Sequence, residues 1–136
     1  MAAAMTAAAV CLRRVGPFLE VLLVRTTDGR RYTFPKGGVK EEERDCDAAQ
    51  RELAEEAGYT GFVRVQPLGD PPPGGGETSY FLVREAAKVG IGEPGRKPCW
   101  FRLDEAAARL RMGRTDPEAM ELLVALRAAA KWYCLH

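Results

Sequence analysis

The sequence predicts an α/β fold in which a mixed sheet lies between helices. Three observations predict it. Apolar runs of strand length stand at 7–12, 19–24 and 78–83, a charged helical stretch at 45–57 separates them, and a capped helix start at 115–118 opens an apolar tail. The resulting order, ββαβββα(α), alternates strands and helices in the way that buries both faces of a sheet.

Each element has a local reason. Residues 1–5 are expected to form a disordered tip and 6–12 the first strand. Gly16-Pro17 then turns the chain into a second strand at 19–24, so apolar that both of its faces should be covered. Asp28-Gly29 marks a turn, and Tyr32-Thr33-Phe34 is a short extended piece that Pro35 keeps extended. Gly37-Gly38 frees the backbone to bend before the helix at 45–57, with Asp45 as its expected cap and Gly58 as its stop. Cys46, Ala49, Leu53 and Ala57 form its inward stripe, and glutamates the other side.

Strands are expected at 62–65 and 78–83, joined by the loop PLGDPPPGGGE. Gly74 to Gly76 in that loop are no phosphate-binding loop, because no Gly-Lys-Ser/Thr follows. A second loop, VGIGEPGRK, leads to a strand at 98–101, after which Asp104 is expected to cap a short helix at 105–110. Thr115 and Glu118 form a capping box around Pro117. The last helix is expected to run to about Tyr133 with Met120, Leu123, Val124 and Ala128 inward.

Composition bounds the function. The 136 residues make one domain, with 46% apolar and 29% charged residues, as in a globular protein. Twenty basic against 19 acidic residues leave a net charge of +1, which gives no reason to expect a nucleic-acid polymer or a membrane as partner. An anionic ligand must therefore meet a local patch or a metal. The single histidine is His136, and Cys11, Cys46, Cys99 and Cys134 are widely spaced, which argues against zinc and against histidine catalysis. The cysteines read as reduced, mostly buried thiols of a cytoplasmic protein. The opening MAAAMTAAAVCL has no basic residue before Arg13 and is too short to span a bilayer, so it reads as neither signal nor anchor.

The chemistry concentrates between Lys36 and Tyr59. Glu52, Glu55 and Glu56 fall three and four residues apart, so one helical face carries like charges that repel. Arg51 stands one turn before Glu55 and can brace a carboxylate, and Glu43 lies about two turns earlier. A hard divalent cation takes such oxygen ligands together with water and substrate phosphates.

Residues 37–59 resemble the signature of the Nudix hydrolases. Gly37, five residues, Glu43, seven residues, Arg51-Glu52-Leu53, one residue, Glu55-Glu56, one residue and Gly58 meet every fixed polar and glycine position, with Tyr59 at the final aliphatic one. The resemblance implies an α/β/α sandwich and hydrolysis of a nucleoside diphosphate linked to another group, or of a related pyrophosphate. It implies Mg²⁺, with Mn²⁺ as substitute, on Glu52, Glu55 and Glu56. A main-chain carbonyl of Lys36 or Gly37 would complete the shell. Glu52 would also orient or deprotonate the attacking water, Arg51 would hold the carboxylates, and Glu43 would be structural or outer-shell. One departure leaves the number of ions open: Lys40 stands where members often carry glutamate, and Glu41-Glu42 replace a Pro/Gly turn.

Two subgroups are similar outside the box. Phe34-Pro35-Lys36-Gly37 resembles dinucleoside polyphosphate hydrolases. Gly95-Arg96-Lys97, Trp100-Phe101 and Asp104-Glu105-Ala106 resemble diphosphoinositol polyphosphate phosphohydrolases. The resemblance implies phosphate contacts from Lys36, Arg96 and Lys97, and a further loop acid, Glu93 ahead of Glu77. The basic residues Arg13, Arg14, Arg25, Lys36, Lys40, Arg96 and Lys97 are scattered, so the two substrate groups stand level. The rival expectations are a nucleoside triphosphate pyrophosphohydrolase of the sanitising kind and a non-catalytic nucleotide-sensing domain. Monomer and homodimer are both open.

Overall fold

Alternation along β1 (Thr6–Val15) explains the layering. Ala7, Ala9 and Cys11 face one side, Ala8, Val10 and Leu12 the other, and all six are fully buried. A strand with no wet face has to sit in the middle of a sheet. The computed structural model, which describes residues 5–69 and 77–136, places it there. β1 pairs antiparallel with β2 (Phe18–Arg25) and with β4 (Lys36–Gly38), and parallel with β6 (Thr78–Lys88). Among the described residues the order is β3-β2-β1-β6-β5, where β3 is Tyr32–Thr33 and β5 is Tyr59–Val63, and β7 (Cys99–Arg102) pairs with β2.

α1 (Asp45–Ala57) covers one face through Cys46, Ala49, Leu53 and Ala57, against Ala7, Ala9 and Cys11. α2 (Leu103–Arg111) and α3 (Asp116–Leu135) cover the other through Ala106, Leu110, Leu122, Ala125, Leu126 and Ala129. The expected sheet between helices is what forms. The cysteines divide: Cys11 and Cys46 are buried, Cys99 and Cys134 exposed, so the expectation of mostly buried thiols holds for half of them. Burial pushes the Cys11 thiol up to about 12, which makes it an inert core group. Among the described residues no helix is long and apolar enough to cross a membrane.

Several local expectations need correction. The residue before α1 is Arg44, extended and without a side-chain cap, while Asp45 is already helical; α1 is instead closed by Gly58 at φ 75°. α2 likewise follows Arg102, with Asp104 accepting from the Glu105 N–H at 2.9 Å inside the first turn. Residues 36–38 are a strand, and β5 starts at Tyr59, ahead of 62. In α3 the capping box and Pro117 hold as expected, but the buried face is turned. Ala119, Leu122, Ala125, Leu126 and Ala129 face the sheet, with Leu123 and Ala128 partly buried against the same core as expected, whereas Met120 and Val124 are 55% and 44% exposed. Two adjacent apolar stripes satisfy the same period. The one with small residues wins because alanines let the helix axis approach the sheet. The expected disordered tip, apart from Met5, and Gly74 to Gly76 lie outside the described residues.

Candidate active site

The acidic box is assembled by the packing of α1 on β4. Spacing along the helix brings Glu52 and Glu56 onto its buried side, leaving them 9% and 4% exposed, while the Glu55 side chain is half exposed. Glu52 lies so close to the backbone at Gly37 that a methyl group there would overlap its carboxylate and push that side chain aside. Glu56 accepts a hydrogen bond from the Lys36 N–H at 3.2 Å and an ion-pair contact from Arg96 at 3.4 Å. Burial, with the neighbouring Glu52 adding to it and Arg96 and the Lys36 N–H opposing, pushes the Glu56 carboxyl up to about 8.

Arg51 braces the cluster as expected. Its Nε and Nη2 donate to the two Glu43 oxygens at 2.8 and 2.9 Å, its Nη1 to Glu52 at 2.9 Å and more loosely to Glu55 at 3.3 Å, and Nη2 also reaches the Gly38 carbonyl at 2.9 Å. This fork holds the Glu43 carboxyl down, to about 2. Glu43 also accepts from the Lys40 N–H at 3.0 Å, closing a turn in which Glu42 is left-handed, with φ 64°. The turn therefore survives without Pro or Gly. Glu43 anchors the arginine and stands outside the Glu52–Glu56 pair.

The loop after β6 is clamped to the end of α1. Val89 and Gly90 N–H groups donate to the Gly58 carbonyl at 2.8 and 3.1 Å, and the Glu93 N–H donates to the Glu56 carbonyl at 3.2 Å. A side chain at Gly58 would strike Gly90, and one at Gly92 would strike the Glu56 carbonyl, so backbone meets backbone here. The clamp brings Glu93 to the box, where it accepts from Arg96 Nε at 2.9 Å, making the chain Glu93–Arg96–Glu56. Glu77, the other loop acid, stands just before β6, where its carbonyl accepts from the Met5 and Thr6 N–H groups at 3.1 and 3.0 Å. Arg96 is further tied by Nη1 to the Arg25 carbonyl at 3.0 Å.

A cleft of about 470 Å³ opens beside Glu56, with Lys36 and Arg96 on its wall. Lys97, left-handed at φ 47° and exposed, does not line it, and neither does Trp100, whose indole donates to Tyr59. Sequence reasoning missed Arg31, Thr33, Tyr80, Arg114 and Glu121, which line the wall from β3 and the residue before it, from β6, and from α3 and the turn before it. Adjacency of Arg114 to the Thr115 cap was the one available signal.

The sequence matches the NUDIX domain family over residues 4–123. The chain belongs to the Nudix family. It is 34% identical over 113 residues to Nudix hydrolase 18, mitochondrial, of Arabidopsis thaliana, covering 77% of this chain and 63% of that protein. To Nudix hydrolase 13, mitochondrial, of the same plant it is 32% identical over 104 residues, covering 65% and 52%. The chain thus spans less than two thirds of the length of these curated relatives. In fold the Nudix domain is similar to a C. elegans Ap4A hydrolase, at 21% identity and TM-score 0.65 over 97% of this chain and 99% of that one. It is also similar to the NUDIX domain of Shewanella oneidensis NrtR in complex with ADP ribose, at 18% identity and TM-score 0.68 over 98% and 90%.

The Nudix box implies a divalent cation, and the donors here fit one. Two buried carboxylates lie side by side, one of them held protonated near neutral pH by that proximity and by burial. A hard cation relieves both effects, and one or two carboxylates with water and phosphate are what Mg²⁺ accepts. Among the described residues, however, no three acidic, cysteine or histidine side chains stand together in ligating geometry. The expected trio is present as the pair Glu52–Glu56, with Glu55 drawn to Arg51.

Proposed function

We propose that this chain is a divalent-cation-dependent hydrolase. It cleaves a phosphoanhydride bond in a polyphosphorylated small molecule, a diphosphoinositol polyphosphate or a dinucleoside polyphosphate, by attack of an activated water. The observation that carries this reading is Glu56, in contact with Glu52, on the wall of a cleft that also holds Lys36 and Arg96. The names of the relatives, all hydrolases, support it, as does a fold shared with an Ap4A hydrolase.

Glu52 and Glu56, with the backbone at Gly37, would hold Mg²⁺ or Mn²⁺, and Glu55 would join when it leaves Arg51. When bound, the ion neutralises phosphate charge and makes a water more acidic. The protein's own groups do the rest. Glu52 orients the water and accepts its proton, while Arg51 keeps that carboxylate in place with the Glu43 anchor behind it. Lys36 meets a phosphate oxygen as a point charge. Arg96 shares its donors between Glu56 and the substrate, and Glu93 sets its position and is the loop acid. Lys97 meets only the exposed part of a large substrate.

A substrate panel with Mg²⁺ tests this, with products identified as orthophosphate, AMP, ATP or pyrophosphate. Orthophosphate from a diphosphoinositol polyphosphate, or ATP and AMP from diadenosine tetraphosphate, is the expected outcome. Preference for a nucleoside triphosphate with pyrophosphate release would replace it with the sanitising reading. Binding without turnover would replace it with a sensing domain. We also propose a cytoplasmic location, on the thiol usage; fractionation of the tagged chain decides between that and the mitochondrion named for the relatives.

A further inference from the structure

We infer that the cleft carries a second anion subsite, made by Arg31, Arg114 and the Thr33 hydroxyl, which grips a substrate phosphate remote from the bond that is cut. This rests on the hydrolase reading above and specifies the far end of the substrate: a phosphorylated end, not a base.

The first observation is an unpartnered polar group. Thr33 is 4% exposed, lines the cleft, and its Oγ1 has no hydrogen-bond partner among the described residues. Buried hydroxyls are nearly always satisfied, so one that lines a cleft marks the place of a ligand.

The second is an imbalance of partners. The carboxylates of the cleft are engaged: Glu56 by the Lys36 N–H and Arg96, Glu118 by the Thr115 N–H at 2.8 Å in the capping box, and Glu121 by the Tyr80 hydroxyl. Arg31 and Arg114 are in no ion pair among the described residues. Arg114 spends Nη1 on the Leu110 carbonyl at 2.9 Å and keeps its other donors. Both residues line the cleft, and the Arg31 stem lies against Gly113, the residue before Arg114. Burial, followed by the charge of Arg31, lowers Arg114 from its ordinary value, with Glu118, which faces both arginines, and Tyr80 opposing. Gly113 makes the approach possible, since a Cβ there would press on the Arg31 stem at 3.0 Å. Two like charges beside an orphan hydroxyl are satisfied together by one phosphate, whose oxygens match the guanidinium fork.

The third observation excludes a base. Among the described residues the one aromatic side chain on the wall is Tyr80, which is 1% exposed and stands edge-on to Phe34, with ring centroids 6.1 Å apart. It offers no face on which a purine could stack.

The test is calorimetric titration of inorganic tripolyphosphate in chelator, on the wild type, Arg31→Gln, Arg114→Gln and Arg114→Lys, with melting temperature measured for each. Each Gln variant is expected to bind roughly tenfold or more weakly, as the loss of a charge-assisted hydrogen bond implies, and Arg114→Lys to recover part of the loss. Unchanged affinity in both Gln variants overturns the subsite, as does a loss that follows melting temperature and that lysine does not restore. For a diphosphoinositol polyphosphate, KM should rise while kcat stays within about twofold; an equal fall in kcat overturns the remote placement. Hydrolysis with unchanged tripolyphosphate affinity rejects the subsite and leaves the hydrolase reading. Weakened binding in a wild-type background that hydrolyses no phosphoanhydride does the reverse.

Discussion

Replacing Glu56 by Gln separates what the box does for catalysis from what it costs the fold. In the metal-free protein the Glu56 carboxyl is displaced from 4.5 to about 8, chiefly by burial. At about 1.4 kcal/mol per unit, a native state that keeps this proton while the unfolded chain ionises from 4.5 upward is about 4 kcal/mol less stable at pH 7.5 than one with an ordinary carboxyl. Glutamine escapes that cost. Its carbonyl keeps the Lys36 N–H and its amide can turn to Glu52, but the contact with Arg96 is lost. A charged hydrogen bond is worth about 1.5–3 kcal/mol, so a net gain of about 1–2.5 kcal/mol remains, several degrees of melting temperature in a domain of this size. The sign follows from linkage. A raised carboxyl stabilises fully below 4.5, and that contribution is lost as pH rises through about 8. Glu56→Gln should therefore melt above the wild type at pH 7.5 in EDTA and lose that advantage near pH 4.5. Mg²⁺ should stabilise the wild type more than the variant, and turnover should nearly vanish in the variant. Scanning fluorimetry across pH, with and without Mg²⁺, reads all of this. A variant that melts below the wild type at pH 7.5 in EDTA would refute the reasoning, because Glu56 would then be a well-paired anion. Wild-type turnover would refute its role as a ligand.

Three further outcomes follow from the same contacts. Glu43 is held down to about 2 by Arg51, so its contribution is complete above 4.5 and is lost as pH falls toward 2; Glu43→Gln should flatten that part of the acid limb in a melting profile, and an unchanged limb speaks against the fork. Gly92→Ala forces a left-handed residue at φ 77° against the Glu56 carbonyl. It should lower stability in urea by at least about 1–2 kcal/mol from the backbone alone, and a neutral result would dissolve the loop clamp. Thr115→Ala should cost about 1 kcal/mol by opening the capping box of α3, and stability equal to wild type would show that the box contributes nothing.

The sequence by itself determined the strands 6–12, 19–24 and 78–83, the extent of α1 and the identity of the acidic cluster. These are local properties: apolar runs, a helix stop at Gly58, and charges repeated at three and four residues. It also identified Arg51 as the brace, because a residue one turn from Glu55 has few other places to go. Tertiary structure decided the rest. The buried face of α3 depended on which stripe could come near β1 and β6, a matter of side-chain volume that period does not carry. That Glu52 and Glu56 are buried, and Glu55 is not, followed from β4 closing over α1 at Gly37. Lys97 lies outside the cleft, and Arg31, Thr33 and Arg114 line it, because segments distant in sequence end at one edge of the sheet. A pattern of residues names the chemistry on one element, and only the packing of several elements decides what that chemistry faces.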